Sequence, residues 1–150
     1  MTILCLCREQ HHWKLIPGYA DAFRRHGIEF REWWRPFAPF PKNEVAPDYL
    51  ESAYDSPFMI LSALVRPEKR SLTPSVSHVD GSARPQTVER EVNPLYYRLI
   101  DEFDAVTGVP VTMSFNLPGE AIVHTPTDAL RTFFSCGMDA LVIGSFLVEK

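Results

Sequence analysis

The chain has little of what marks a secreted, membrane-spanning or nucleic-acid-binding protein. Its 3 cysteines are an odd number, two of them in a Cys5-Leu6-Cys7 pair, which does not make a disulfide framework. A reducing cytoplasm is therefore the expected compartment. No apolar run approaches the ~20 residues that a membrane helix needs. The first residues, Met1-Thr2-Ile3-Leu4, bring neither a basic n-region nor a small-residue cleavage site, so no signal peptide is expected. Positive charge is not in excess. Lys and Arg number 15 against 19 Asp and Glu, a formal net charge of −4, which disfavours a nucleic-acid partner. The 7 glycines form no G-x-G-x-x-G loop, so no dinucleotide site is implied. There is no internal repeat and no low-complexity segment. Cys5 and Cys7 share one face of a short strand, but two thiolates do not complete a zinc site. His11-His12 lack a standard spacing from them, so core cysteines are the expected reading.

What is present fits one ordinary domain: 150 residues, 45% hydrophobic and 23% charged. The 13 prolines break it into short elements. The pattern predicts a buried strand over Ile3–Cys7, then a helix from Pro17 to His26 closed by Gly27. A Pro-punctuated loop follows, with a helical turn near Tyr49–Ala53. Phe58 to Val65 reads as a fully buried strand. Asn93 and Pro94 start a helix as N-cap and N1, and Gly108 ends it, with Leu95, Leu99, Phe103 and Val106 as its core face. Val109–Thr112 has strand character. Thr125-Pro126-Thr127-Asp128 has the form of a capping box, opening a helix to Cys136 with Leu130, Phe133 and Phe134 inward. Ala140–Ile143 is the last expected strand. Alternating strands and helices place the chain in the α/β (α+β) class with a mixed sheet.

Several stretches could carry chemistry. Ser114 and Asn116 are two apart, so on an extended backbone both side chains share a face. Leu117-Pro118-Gly119-Glu120 then reads as a type II turn. On spacing alone the Ser–Asn pair either caps that turn, the commoner role, or holds a phosphate or carbonyl oxygen. Arg31-Glu32-Trp33-Trp34-Arg35 sets two guanidinium groups among aromatics, suited to bidentate phosphate contacts or equally to surface packing. His78 and Asp80 would share a face of an extended segment ended by Gly81, as a structural pair or as ligands.

Taken together, these stretches resemble the C-terminal domain of the O-carbamoyltransferases of the nodulation and antibiotic-tailoring type. The resemblance runs from about Arg31 to the C-terminus. It is carried by Arg31-Glu32-Trp33-Trp34-Arg35-Pro36-Phe37-Ala38-Pro39, Ser56-Pro57-Phe58-Met59 and Val65-Arg66-Pro67-Glu68-Lys69-Arg70. It continues through Ser77-His78-Val79-Asp80-Gly81-Ser82-Ala83-Arg84-Pro85-Gln86-Thr87-Val88, Thr107-Gly108-Val109-Pro110-Val111, Ser114-Phe115-Asn116-Leu117-Pro118-Gly119-Glu120 and Thr125-Pro126-Thr127-Asp128-Ala129-Leu130. The resemblance implies a YrdC-like fold, a twisted mixed sheet with flanking helices. It implies a module that binds carbamoyl phosphate and ATP with Mg2+ and makes a carbamoyl-adenylate. Transfer to a hydroxyl acceptor would fall to a separate partner, an actin-like ATPase-type transfer subunit. Ser114 and Asn116 match the Ser-x-Asn element of such sites. Arg31 and Arg35 match its basic pair, and Arg84 is a further anion ligand. His78 and Asp80 would line the pocket. No residue is assigned to the bond-making step, and no resident metal site is expected.

Two departures stand out. The family's Asn-Thr before Ser-Phe-Asn is replaced by a Val111-Thr112-Met113 lead-in, and residues 1–30 resemble the opening strand–helix of a nucleotide-sugar glycosyltransferase. The expected organisation is thus an N-terminal strand–helix extension over 1–30 and a carbamoyltransferase-like domain over 31–150. The alternative expectation is a non-catalytic carbamoyl-phosphate or nucleotide-binding protein, or a truncated remnant.

Overall fold

A computed structural model describes residues 3–6, 37–114, 123–136 and 138–150, with the backbone alone for 3–6 and 114. The expected Pro17–His26 helix and Leu117–Glu120 turn lie outside these residues. The chain divides into two compact units, residues 34–115 and residues 1–33 with 116–150.

In the 34–115 unit, β2 (Ala38–Pro41) pairs antiparallel with β5 (Val111–Ser114), from Ala38↔Ser114 to Pro41↔Val111. Two prolines in β2 would break a central ladder, because each lacks an N–H. Here both keep their carbonyls on the face away from β5. Pro39 O accepts from Gln86 N at 2.9 Å and Pro41 O from Val88 N at 3.0 Å. A parallel bridge, Lys42↔Val88, continues that alignment. α1 (Ala46–Tyr49) follows, then β3 (Ala63–Leu64), a 3-10 turn at Pro67–Lys69, and β4 (Ser82–Ala83), which pairs with β3 through Ala63↔Ala83 and Leu64↔Ser82.

α2 (Pro94–Thr107) starts and stops where its sequence signals lie. The Asn93 side chain accepts from Tyr96 N, and Gly108 closes the helix in the left-handed region at φ 68°. Its buried face is different from the expected one. Tyr97 and Ile100 are buried, packed with Val88 and with the partly buried Phe40 and Tyr96, whereas Leu95 and Val106 are exposed. Aromatic side chains decided the face. Tyr96 meets Phe40 edge-on at 5.7 Å and its hydroxyl reaches Thr112 Oγ1 at 2.9 Å, which lets a polar-tipped ring go inward.

In the other unit, β6 (Ala140–Ile143) is the middle strand between β1 (Ile3–Leu6) and β7 (Phe146–Glu149), all antiparallel. β7 lies beyond the last strand expected from the sequence. Gly144-Ser145 between two apolar runs is a two-residue hairpin signal, and Gly144 takes the positive φ, 59°, that such a turn requires. α3 (Pro126–Ser135) begins with the expected capping box: Thr125 Oγ1 accepts from Asp128 N, and Asp128 accepts from Thr125 N. Phe133 is fully buried, along with Ala129 and Thr132. Phe134, expected inward, is exposed.

The α/β (α+β) class therefore holds. The ladders among the described residues are antiparallel, with that single parallel bridge. No helix among them is long and apolar enough to cross a membrane. The run Phe58–Val65 departs most from expectation. Only Ala63–Leu64 is strand, and Phe58, Ile60 and Leu61 before it are exposed.

Candidate functional site

The N-terminal end of β2 brings the backbones of two candidate residues to one level. Ser114 pairs across the ladder with Ala38 on one side of β2. On the other side, Pro39 and Pro41 accept from Gln86 and Val88, so Arg84 sits two residues up-chain at the same end. Two strand spacings, ~10 Å, separate the outer members of such a triplet. Arg35 stands two residues before Phe37 in the chain. Arg31, Arg35, Asn116 and the Ser114 side chain lie outside what the structure describes.

Arg84 is exposed, with no hydrogen bond or ion pair to another described residue, yet its backbone neighbours are fixed. Ala83 is buried in the β3–β4 pair. Pro85 O accepts from Ser56 Oγ at 2.9 Å, and the Gln86 amide nitrogen donates to Pro57 O at 2.7 Å. Thr87 N donates to Ser56 O at 3.0 Å. Its guanidinium, on so fixed a stem, is paired by none of the described residues.

His78 and Asp80 come together, but not on an extended strand. His78 O accepts from Gly81 N at 2.9 Å, closing a tight turn, and His78 N donates to Ser82 O at 2.7 Å. His78 Nδ1 lies 3.2 Å from Asp80 Oδ1. Asp80 also accepts from Ser82 N at 2.8 Å. Hydrogen bonds from Ser82, with a smaller contribution from His78, hold the Asp80 carboxyl below the usual carboxylate range. β4 alone separates this turn from Arg84.

Sequence reasoning missed the part played by Arg70. Gly81 adopts φ +82°, and a Cβ there would come within 2.4 Å of the Arg70 guanidinium carbon. Arg70 Nε donates to Val65 O at 3.1 Å, and Val65 N donates to Gly81 O at 2.8 Å. Arg70 thus clamps the His78–Gly81 turn to Val65, just past β3. The only sequence signal was a glycine in a charged neighbourhood.

A second polar cluster was also invisible in the sequence, because its members are far apart. The buried Tyr97 donates its hydroxyl to Glu44 Oε1. Arg90 Cζ and Lys42 Nζ lie 4.4 and 5.6 Å from its ring centre. Lys42 Nζ pairs with Asp101 at 2.7 Å, and that hydrogen bond raises the Lys42 pKa above its ordinary value. The hydrogen bond to Glu44 and burial push the Tyr97 phenol up as well. Every charge here has a partner. Among the described residues, no group of three or more His, Cys, Asp or Glu could hold a metal ion. A small cavity lined by Pro41, Tyr49, Leu50, Val65, Val76 and Val111 is apolar, a packing gap rather than a site.

Comparison with known proteins matches residues 19–150 to the family described as Carbamoyltransferase C-terminus. An uncharacterized protein of Synechocystis sp. is 43% identical over 145 residues, covering 82% of this chain and 24% of its own. Nodulation protein NolNO of Sinorhizobium fredii is 43% identical over 128 residues, covering 82% of this chain and 19% of its own. The 3'-hydroxymethylcephem-O-carbamoyltransferase of Amycolatopsis lactamdurans is 35% identical over 135 residues, covering 89% and 26%. The chain thus spans about a fifth to a quarter of the length of these relatives.

Proposed function

The chain belongs to the carbamoyltransferase C-terminus family, and from that premise we propose that it is the carbamoyl-activating module of an O-carbamoyltransferase. It binds carbamoyl phosphate and MgATP in a YrdC-like site and forms carbamoyl-adenylate. A separate transfer portion, of the actin-like ATPase type, then moves the carbamoyl group to a hydroxyl acceptor. Net, the carbamoyl group joins AMP, pyrophosphate and phosphate leave, and one water is consumed. Mg2+ enters with ATP as part of the substrate.

The observation that supports this reading is that the backbones of Arg84 and Ser114 lie at the same end of β2, on either side of it. Both substrates are polyanions, so bringing them together needs fixed positive groups to offset repulsion. Arginine supplies that charge without losing its proton. Arg84 meets one anion, with Arg31 and Arg35 completing the basic set. Ser114 and Asn116 hold a carbamoyl or phosphate oxygen. His78 and Asp80 line the wall of the pocket, and the ionised Asp80 orients His78 through Nδ1.

The test is carbamoyl-phosphate-dependent exchange of labelled pyrophosphate into ATP. Exchange that disappears in Arg84→Ala and Ser114→Ala supports an activating module. Binding of either substrate without exchange would make the chain a non-catalytic binding protein instead, and the absence of binding would sink both readings.

A further inference from the structure

The stretch Ser56 to Val65 contains no charged residue, yet it is not core. Phe58 is 77% exposed and Ile60 76%, and Leu61 and Leu64 are exposed beside them. A floppy loop could expose such side chains by accident, but this one is held on all sides. Ser56 and Pro57 are bonded to Pro85, Gln86 and Thr87, and Ser56 N also donates to Thr87 Oγ1 at 2.9 Å. Tyr54 OH closes the neck onto Ser62 O at 2.7 Å. Ala63 then locks onto Ala83 in the β3–β4 ladder. At the tip, Met59 takes φ +56°, a left-handed conformation that an unbranched apolar side chain rarely adopts. Such strain persists only where the surrounding structure enforces it, and it gathers at functional positions. The backbone thus holds an apolar knuckle outward.

Contiguous exposed apolar surface of this kind marks an interaction site. The relatives are long enough to supply a cover. Each relative carries about three-quarters or more of its chain outside the segment matched here. We infer that the loop of residues 57–62, extended by Leu64, is the docking surface for that remaining portion of the longer carbamoyltransferases. The partner face is apolar and free of unpaired charge, because the loop offers no charge to answer one. The inference takes from the proposed function only that a second portion exists. It does not depend on Arg84 or on adenylate chemistry, so the exchange assay can fail while this holds.

The test is hydroxyl-radical footprinting of two intact proteins, this chain and the full-length Sinorhizobium fredii relative. Rates at Phe58, Ile60 and Leu61, and at the residues aligned with them, are normalised to intrinsic side-chain reactivity. The exposed Val106 of α2 and its aligned residue serve as reference. The expected result is fast labelling of the loop in this chain and roughly ten-fold slower labelling in the relative, as for side chains moved into an interface core. Equal labelling of the loop in both proteins would overturn the inference. So would a loop already protected in this chain, whether by its own residues or by a second copy.

Discussion

Lys42 and Arg84 are cations in the same unit, and the protein treats them in opposite ways. Lys42 follows β2 and is fully answered: Asp101 takes its ammonium at 2.7 Å and the Tyr97 ring lies under it. Arg84 follows β4 and is answered by none of the described residues, although the backbone around it is pinned by Ser56, Pro57 and Ala63. A structural cation has its partner within the fold. A cation proposed to meet a ligand should have a fixed stem and an end that no described residue answers, and Arg84 fits that pattern.

Arg84→Ala should therefore have the largest functional effect, a fall of ~10–100-fold in affinity for carbamoyl phosphate or ATP, the worth of a hydrogen bond to a charged group. Its urea midpoint should correspond to a stability change within about 0.5 kcal/mol, as for an exposed side chain without a partner. Lys42→Met should reverse that pattern, costing ~1–2 kcal/mol in urea unfolding because Asp101 loses its nearer charged partner and keeps only Arg90 at 3.8 Å, with ligand affinity unchanged. Asn93→Ala removes the cap of the helix carrying Tyr97 and Asp101, and should cost ~1 kcal/mol by the same measurement. The smallest effect is one of pH. The folded pKa of Lys42 lies above its unfolded value, so the contribution of the pair is fully present below the unfolded pKa of ~10.4 and is lost as pH rises through the folded one. The stability gap between wild type and Lys42→Met should stay constant from neutral pH upward and close only beyond that point. A gap that closes near neutral pH would break the comparison.

Local signals were legible in the sequence wherever the physics is local. The Asn93 cap, the Gly108 stop and the Thr125–Asp128 capping box all stand where their residues predicted, because each is satisfied within a few residues of chain. The mixed helix–strand class and the family were legible too. Burial was less so. The α2 stripe of Leu95 and Val106 lost the core to Tyr97 and Ile100, a choice made by Phe40 and Val88 from distant segments. Phe58–Val65 has the composition of a buried strand, and a sequence cannot show that its entry at Ser56–Pro57 is hydrogen-bonded to residues 85–87 while Phe58, Ile60 and Leu61 stay exposed. His78 and Asp80 were paired for the wrong reason: a tight turn, not strand alternation, brings them together. The clamp of Arg70 on Gly81 and the Lys42–Tyr97–Asp101 cluster depend on contacts that no spacing rule reaches.

The central claim is that Arg84 is a ligand cation of a carbamoyl-activating site. Titration calorimetry of carbamoyl phosphate into wild type, Arg84→Ala and Lys42→Met tests it most directly. The account predicts binding to wild type and Lys42→Met alike, and a loss of ~10-fold or more in Arg84→Ala. Equal affinity in wild type and Arg84→Ala would contradict it.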